Sequence, residues 1–80
     1  MIHVQYFARY REVLGIDAEP LSGSFASLEA IRQLLLSRGG VWQVLAEQNL
    51  MCARNQELCS LDEAVSSGDE IAFFPTVTGG

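Results

Sequence analysis

The sequence has no lysine: its five basic side chains, Arg9, Arg11, Arg32, Arg38 and Arg54, are all arginine, set against ten acids for a net charge of −5. An acidic chain is repelled by nucleic acid and by anionic membrane, which argues against both as partners and favours a basic partner surface. Histidine is nearly absent as well. His3 has no second imidazole and no close carboxylate in sequence to build a metal site with, and reads as a surface residue. Cys52 and Cys59 stand seven apart, a spacing that matches no common zinc or redox motif, so they read as packing cysteines in a reducing compartment. There is no nucleophile elbow, no phosphate-binding glycine loop and no Ser–His or Cys–His constellation, which leaves the chain without the machinery of a self-sufficient enzyme. No apolar run approaches the roughly 18 residues that span a bilayer, and the N-terminus lacks the basic-then-apolar pattern of a secretory signal. The expected location is the cytoplasm. Repeats, low-complexity segments and linkers are also missing.

What is present points to one small domain. A chain of 80 residues buries only about 60% of its unfolded surface, enough for one core and no second domain. With glycine counted, the apolar share exceeds the usual range of about 45–50%, an excess that suits surface reserved for a partner.

Ile2 to Arg9 opens as a strand in which Ile2, Val4, Tyr6 and Ala8 alternate with His3, Gln5, Phe7 and Arg9. The first set is expected to face inward, which puts Phe7 on the polar face. Tyr10 to Gly15 is a short connection with room for one helical turn. Ile16 to Leu21 returns as a strand confined to a sheet edge, because Pro20 has no N–H to give to a ladder. After a break at Ser22-Gly23-Ser24, Ser27 is placed to cap a helix with Glu29 near its positive end. Leu28, Ile31, Leu34 and Leu35 form its apolar stripe, and Gly39-Gly40 stops it after about 11 residues. Val41 to Gln48 holds a shorter helical piece with Trp42 and Leu45 packed down. Leu50 to Arg54 and Glu57 to Cys59 are short strands around a turn at Asn55-Gln56, whereas Leu61 to Val65 is too short to assign. Ser66-Ser67-Gly68-Asp69 launches a last strand, Glu70 to Phe74, with Ile71 and Phe73 inward and Phe74 outward.

The longest apolar strands are therefore the first and the last, with the main helix between them. That order predicts an α+β domain, a mixed sheet with one main helix packed on one face and the two terminal strands side by side and parallel in the middle. Phe7 and Phe74 then neighbour each other on the uncovered face, as a docking patch beside the point where the final residues leave. Pro75 stops the last strand, and a polar tail ends in Gly79-Gly80. Glycine lacks a Cβ and can pass through a channel too narrow for side chains, so this tail delivers one group, the α-carboxylate of Gly80. Ionised at neutral pH, it can attack an activated phosphate and become an acyl adenylate. From Thr76 onward the extended tail reaches about 16 Å, enough to enter another protein's active site. A frayed and functionless chain end has the same composition.

The pattern Tyr6-Phe7-Ala8-Arg9-Tyr10-Arg11-Glu12, the Ser66 to Glu70 turn, and Phe73-Phe74-Pro75 followed by Val77-Thr78-Gly79-Gly80 resemble the small, sulfur-carrier subunits of molybdopterin synthase. The resemblance covers essentially the whole chain. It implies a ubiquitin-like β-grasp domain over residues 1–75 and a flexible tail over residues 76–80. It also implies that an E1-like activating enzyme binds ATP and adenylates Gly80, and that sulfur then replaces the adenylate to give a thiocarboxylate. The tail would enter the large synthase subunit and give its sulfur to cyclic pyranopterin monophosphate. On this resemblance the chain binds no cofactor and no metal and is no enzyme alone, since the large subunit supplies the acid-base groups. Phe7, Arg11, Leu58, Phe74, Pro75, Val77, Thr78 and Gly79 are the implied partner contacts, Leu58 on the resemblance alone, and carriers sit at opposite ends of a heterotetramer. Thr76 departs from the family pattern, in which a second proline is common there. Two other readings stay open: a sulfur carrier of thiamine type, which need not share the Phe-Phe-Pro stretch, and a ubiquitin-like module with no covalent chemistry.

The missing lysine has a chemical consequence. An activated Gly80 carboxyl acylates amines, but guanidinium stays protonated and is a poor nucleophile, so the N-terminal amine is the one acceptor the sequence offers. Arginine-favouring codon usage would produce the same composition, and the consequence holds either way. The activated protein incubated alone is expected to give no covalent dimer on a reducing denaturing gel once that amine is blocked. A dimer that persists after blocking would reveal a nucleophile overlooked here.

Overall fold

Alternate residues of the first and last strands are sealed from water, and the sheet is built outward from that pair. The structure, a computed structural model, describes residues 1–76. What the sequence implies for Val77, Thr78, Gly79 and Gly80 lies outside the described residues. In order the elements are β1 (Ile2–Tyr6), α1 (Arg9–Leu14), β2 (Ala18–Leu21), α2 (Leu28–Leu36), a 3₁₀ segment (Gly40–Ala46), β3 (Met51–Arg54), β4 (Glu57–Cys59) and β5 (Glu70–Phe74). The sheet order is β2-β1-β5-β3-β4. β1 and β5 run parallel, with Val4 opposite Ile71 and Tyr6 opposite Phe73, and every other pair is antiparallel. This is the expected β-grasp arrangement, with β2 on an edge as Pro20 requires.

Ile2, Val4, Tyr6, Ile71 and Phe73 face Leu28, Ile31 and Leu35 of α2 and Leu45 of the 3₁₀ segment, all buried. Each such side chain contributes about 1.5–3 kcal/mol of transfer free energy. The Ser27 hydroxyl accepts the Ala30 N–H at 3.3 Å and caps α2. Further N–H groups at that end are taken up by the stretch Leu61 to Val65, with no strand or helix of its own. Leu28 N–H donates to the Glu63 carbonyl at 3.2 Å and Glu29 N–H to that of Leu61 at 2.8 Å.

Several expectations need correction. β1 ends at Tyr6 instead of Arg9, because Ala8 takes a positive φ of 54° and turns the chain into α1. Ala8 is therefore exposed, and Tyr10, one turn further on, fills the core in its place. α2 has 9 residues, and Leu34 is 41% exposed. At about 100° per residue Leu34 sits about 90° round from the centre of the Leu28, Ile31 and Leu35 stripe, too far to share its burial.

Two tyrosine–glutamate–arginine triads close the helical layer. Tyr6 donates its hydroxyl to Glu19 at 2.8 Å, and Arg38 clamps the same carboxylate at 2.8 and 3.0 Å while lying 4.4 Å over the Trp42 ring. Tyr10 donates to Glu47 at 2.7 Å, beside Arg9 at 2.9 Å. Burial first, then the glutamate bond, pushes both phenols well above their ordinary value, so they act as permanent donors.

Asp69, buried at 7% exposure, ties the β3–β4 hairpin to the start of β5. Its carboxylate accepts the Ser66 N–H at 2.7 Å, Arg54 Nε at 2.7 Å and Asn55 Nδ2 at 3.1 Å. Those bonds, the backbone one foremost, hold its pKa down at about 2, against an ordinary 3.8. A carboxyl depressed on folding contributes stability that is fully present above its unfolded value and is lost as pH falls through its folded value. Asp69→Asn should therefore lower the urea midpoint at neutral pH and flatten its decline between about pH 5 and pH 2. An equally steep acid decline in the variant would show that other carboxyls carry it.

Candidate functional site: the open sheet face

The helices pack on one face of the sheet, and among the described residues no helix covers the other. Strand register places its residues in rows. Gln5 stands opposite Ala72, Ala72 opposite Ala53, and Ala53 opposite Leu58, so one row crosses four strands. Phe74 stands opposite Met51 in the next row. Phe7 continues that row on the β1 side, its N–H donating to the Phe73 carbonyl at 3.2 Å just beyond the end of the strand. Phe7 is 42% and Leu58 67% exposed, whereas Phe74 is half-buried. The two alanines form the floor of a shallow apolar hollow, and Phe7, Leu58 and Phe74 rise around it.

Local sequence explains the relief. Asn55 and Gln56 take positive φ values of 51° and 71°, the geometry of a tight two-residue hairpin, which fixes Leu58 opposite Ala53 and outward. Glu70 is the one ionisable side chain around the hollow. Such a surface is suited to binding an apolar partner surface and carries no acid–base pair for reaction.

Phe7, Leu58 and Phe74, three of the side chains expected to contact partners, are thus brought together. Arg11 is exposed on α1 and lines a neighbouring depression with Phe7, Gln5 and Asp17. Among the described residues Arg9, Arg32, Arg38 and Arg54 are each ion-paired, and Arg11 has no carboxylate partner. Pro75 follows β5 directly and is half-buried. Val77, Thr78, Gly79 and Gly80 fall outside the described residues. Met51, Ala53 and Ala72 were not anticipated, although the period of two that points Phe74 outward points Ala72 the same way.

Among the described residues no group of three His, Cys, Asp or Glu can hold a metal ion. Cys52 and Cys59 are free and stand opposite each other, with the Cys52 thiol donating to the Cys59 carbonyl at 3.3 Å. Burial pushes the Cys52 thiol up to about 12, which keeps it protonated and inert.

The ThiS family model matches residues 4–80. Two curated relatives align over the full length of both chains, the molybdopterin synthase sulfur carrier subunits of Haemophilus influenzae at 48% identity and Escherichia coli at 43%. Among solved structures, the crystal structure of SAMP1 from Haloferax volcanii superposes with a TM-score of 0.76 at 26% identity, covering 99% of this chain and 98% of that one. A protein–protein complex of subunits 1 and 2 of molybdopterin-converting factor from Helicobacter pylori contains a chain of the same fold, with a TM-score of 0.68 at 21% identity, covering 99% of this chain and 97% of that one. With the parallel β1–β5 pair, the bare aromatic face and these matches together, the chain belongs to the ThiS family, among the molybdopterin synthase sulfur carrier subunits.

Proposed function

We propose that this chain carries sulfur on its C-terminal carboxyl and delivers it inside a molybdopterin synthase. One observation carries the reading. β5 brings Phe74 onto the apolar face and runs straight into Pro75 and the sequence that ends in Gly79-Gly80, so a docked partner lies beside the tail's origin. Subunit 2 in the Helicobacter pylori complex is the kind of protein this face would meet. In this reading residues 1–75 are the docking body and residues 76–80 the delivering tail.

The chemistry follows from the carboxylate. In the activating enzyme the Gly80 carboxylate attacks the α-phosphate of ATP and displaces pyrophosphate, giving an acyl adenylate. A nucleophile at the sulfide level, such as hydrosulfide, then attacks the acyl carbon and displaces AMP to leave a thiocarboxylate. In the large subunit the thiocarboxylate sulfur bonds to a carbon of cyclic pyranopterin monophosphate with loss of that carbon's oxygen substituent, and water then cleaves the acyl–sulfur bond, leaving sulfur on the pterin precursor and returning the chain as a carboxylate. Phe7, Leu58 and Phe74 supply apolar docking, Arg11 a charge for an acidic partner group, and Pro75, Val77, Thr78 and Gly79 the lining of the insertion channel. ATP belongs to the activating enzyme, and the chain is no enzyme alone. A heterotetramer with carriers at its ends and a cytoplasmic location complete the proposal. No helix among the described residues is long and apolar enough to cross a membrane.

Intact-mass measurement after incubation with activating enzyme, ATP and a sulfur source tests the reading. The parent should gain the mass of one oxygen exchanged for sulfur, while a Gly80 deletion and Gly79→Trp should transfer no sulfur and keep the parent's unfolding midpoint. Full activity in the deletion would sink the assignment. For the face, Phe7→Ala and Phe74→Ala should each weaken large-subunit binding by at least about 2 kcal/mol, roughly 30-fold. Parent-like affinity in both variants would move the docking surface elsewhere.

A further inference from the structure

Strand parity puts a charge on the open face as well as its aromatic side chains. Glu70 stands on β5 in phase with Ala72 and Phe74, so all three emerge on the same side, and about 13 Å of strand separates the carboxylate's position from that of the aromatic ring. The backbone there is fixed from both sides. Asn55 N–H donates to the Glu70 carbonyl at 2.7 Å, and Glu70 N–H donates to Asn55 Oδ1 at 3.0 Å. Among the described residues Glu19, Glu29, Glu47, Glu63 and Asp69 each meet an arginine, whereas the Glu70 carboxylate has no ion pair and no hydrogen bond, even with His3 opposite it in the β1–β5 register. Glu12, Asp17, Glu57 and Asp62 also lack an arginine, but they are exposed and keep their water. Glu70 is half-buried in the wall of an apolar hollow.

A surface that covers this hollow strips water from the carboxylate. An ionised group that loses its hydration and gains no partner is strongly unfavourable, so the covering surface has to bring a cation to that spot. The floor shows what shape of cation fits. Ala72 stands opposite Ala53, and with one methyl group each they leave a shallow trough in a face whose margins are Phe7, Leu58 and Phe74. Lysine and arginine carry a stem of three or four methylene groups behind the charged head, and lay that stem along apolar surface. We propose that the hollow receives one long basic side chain of the large subunit, its stem over Ala72 and Ala53 and its cationic head on the Glu70 carboxylate. The proposal rests on the docking face of the proposed function and adds the chemistry of the occupant. Glu70 then determines specificity. A wholly apolar surface would bury the carboxylate unpaired, and a partner turned end for end would set its cation against Phe74, so one side chain selects both the partner and its orientation. The net charge of −5 draws basic surface from a distance, and Glu70 decides where it seats.

The test measures binding of the full chain to the large subunit by surface plasmon resonance, for the parent, Glu70→Gln, Glu70→Lys, Ala72→Leu and the double variant of Glu70→Gln with Ala72→Leu. Removing a carboxylate that meets a cation weakens binding, whereas removing one that is buried alone strengthens it, so the sign of the change decides. Glu70→Gln should weaken binding about 10-fold, chiefly through faster dissociation, and Glu70→Lys at least about 100-fold. Ala72→Leu fills the trough and should weaken binding as well. In that background Glu70→Gln should have little further effect, because both changes displace the same side chain. The urea midpoint of Glu70→Gln should match the parent's, since the carboxylate holds nothing in the isolated chain, and a clearly lowered midpoint would reveal an internal partner and overturn the proposal. Unchanged or tighter binding in Glu70→Gln, or a Glu70→Lys that binds no more weakly than Glu70→Gln, overturns the cation. Additive losses in the double variant overturn the shared side chain. A parent that binds no large subunit overturns the docking reading itself, an outcome distinct from a parent that binds and a Glu70→Gln that binds as well.

Discussion

The parallel pairing of β1 with β5 is the constraint on which the rest of the structure depends. It joins the two ends of the described chain at the centre of the sheet, so everything between them has to act as the crossover. The same register settles both faces. With Val4 opposite Ile71 and Tyr6 opposite Phe73, one side is sealed under α2, and the alternate residues Gln5, Phe7, Ala72 and Phe74 have to emerge on the other. A slip of one residue would exchange the two sets, burying the glutamine and exposing the core. Core and docking face are therefore two readings of one alignment and cannot vary independently.

How much of this was legible follows from where the sequence carries a periodic signal. The terminal strands were, since Ile2, Val4 and Tyr6 and then Ile71 and Phe73 recur every second residue, and Pro20 limited β2 to an edge. The Asn55-Gln56 turn was legible from chemistry, because asparagine tolerates positive φ. The end of β1 was not. An alanine with positive φ has no sequence signature, so Ala8 extended a pattern that the backbone abandons. Leu34 misled for a different reason, as adjacent leucines at 34 and 35 both satisfy helical spacing although one short helix buries only one of them. Asp69 was read only as part of the turn before β5, because two of its three donors, Arg54 and Asn55, arrive from a hairpin distant in sequence. In the site, Phe7 and Phe74 were read from strand parity, but the exposure of Leu58 depends on a hairpin register that its own identity does not reveal.

The distribution of charge separates a tied side from a bare one. On the helical side Glu19, Glu29 and Glu47 each hold an arginine, and two of them also fix a buried tyrosine. Each pair alone is worth little at the surface. Their value here lies in geometry, since Tyr6 and Tyr10 reach out from the core and their hydroxyls need fixed acceptors. Ion pairs of this kind are saturated internally and offer little to a partner. Arg11 has no such acceptor among the described residues, and it flanks Phe7 at the margin of the bare face. Apolar relief and an unsatisfied charge thus coincide on the same side of the molecule, the composition found at the core and rim of protein interfaces.

In the proposed cycle the chain would meet an activating enzyme and then a synthase and have to leave each as readily as it joined, and the open face is built on a scale that suits this. Three projecting apolar side chains over an alanine floor concentrate binding in a few anchors, as hot spots do, without the broad apolar area of a permanent interface. The proposed reactive group, the Gly80 carboxyl, stands six residues beyond Phe74 in the sequence. In that cycle docking would rest on Phe7, Leu58 and Phe74, which stay unchanged, while the chemical state would change only at Gly80. Contacts to those side chains would not distinguish a carboxylate from a thiocarboxylate, so in the proposed cycle selection between loaded and empty carrier would fall to the partner's contacts with Gly80. That separation fits a chain in which Tyr6, Tyr10 and their glutamate and arginine partners hold the fold, while the group that reacts in the proposed cycle is the Gly80 carboxyl.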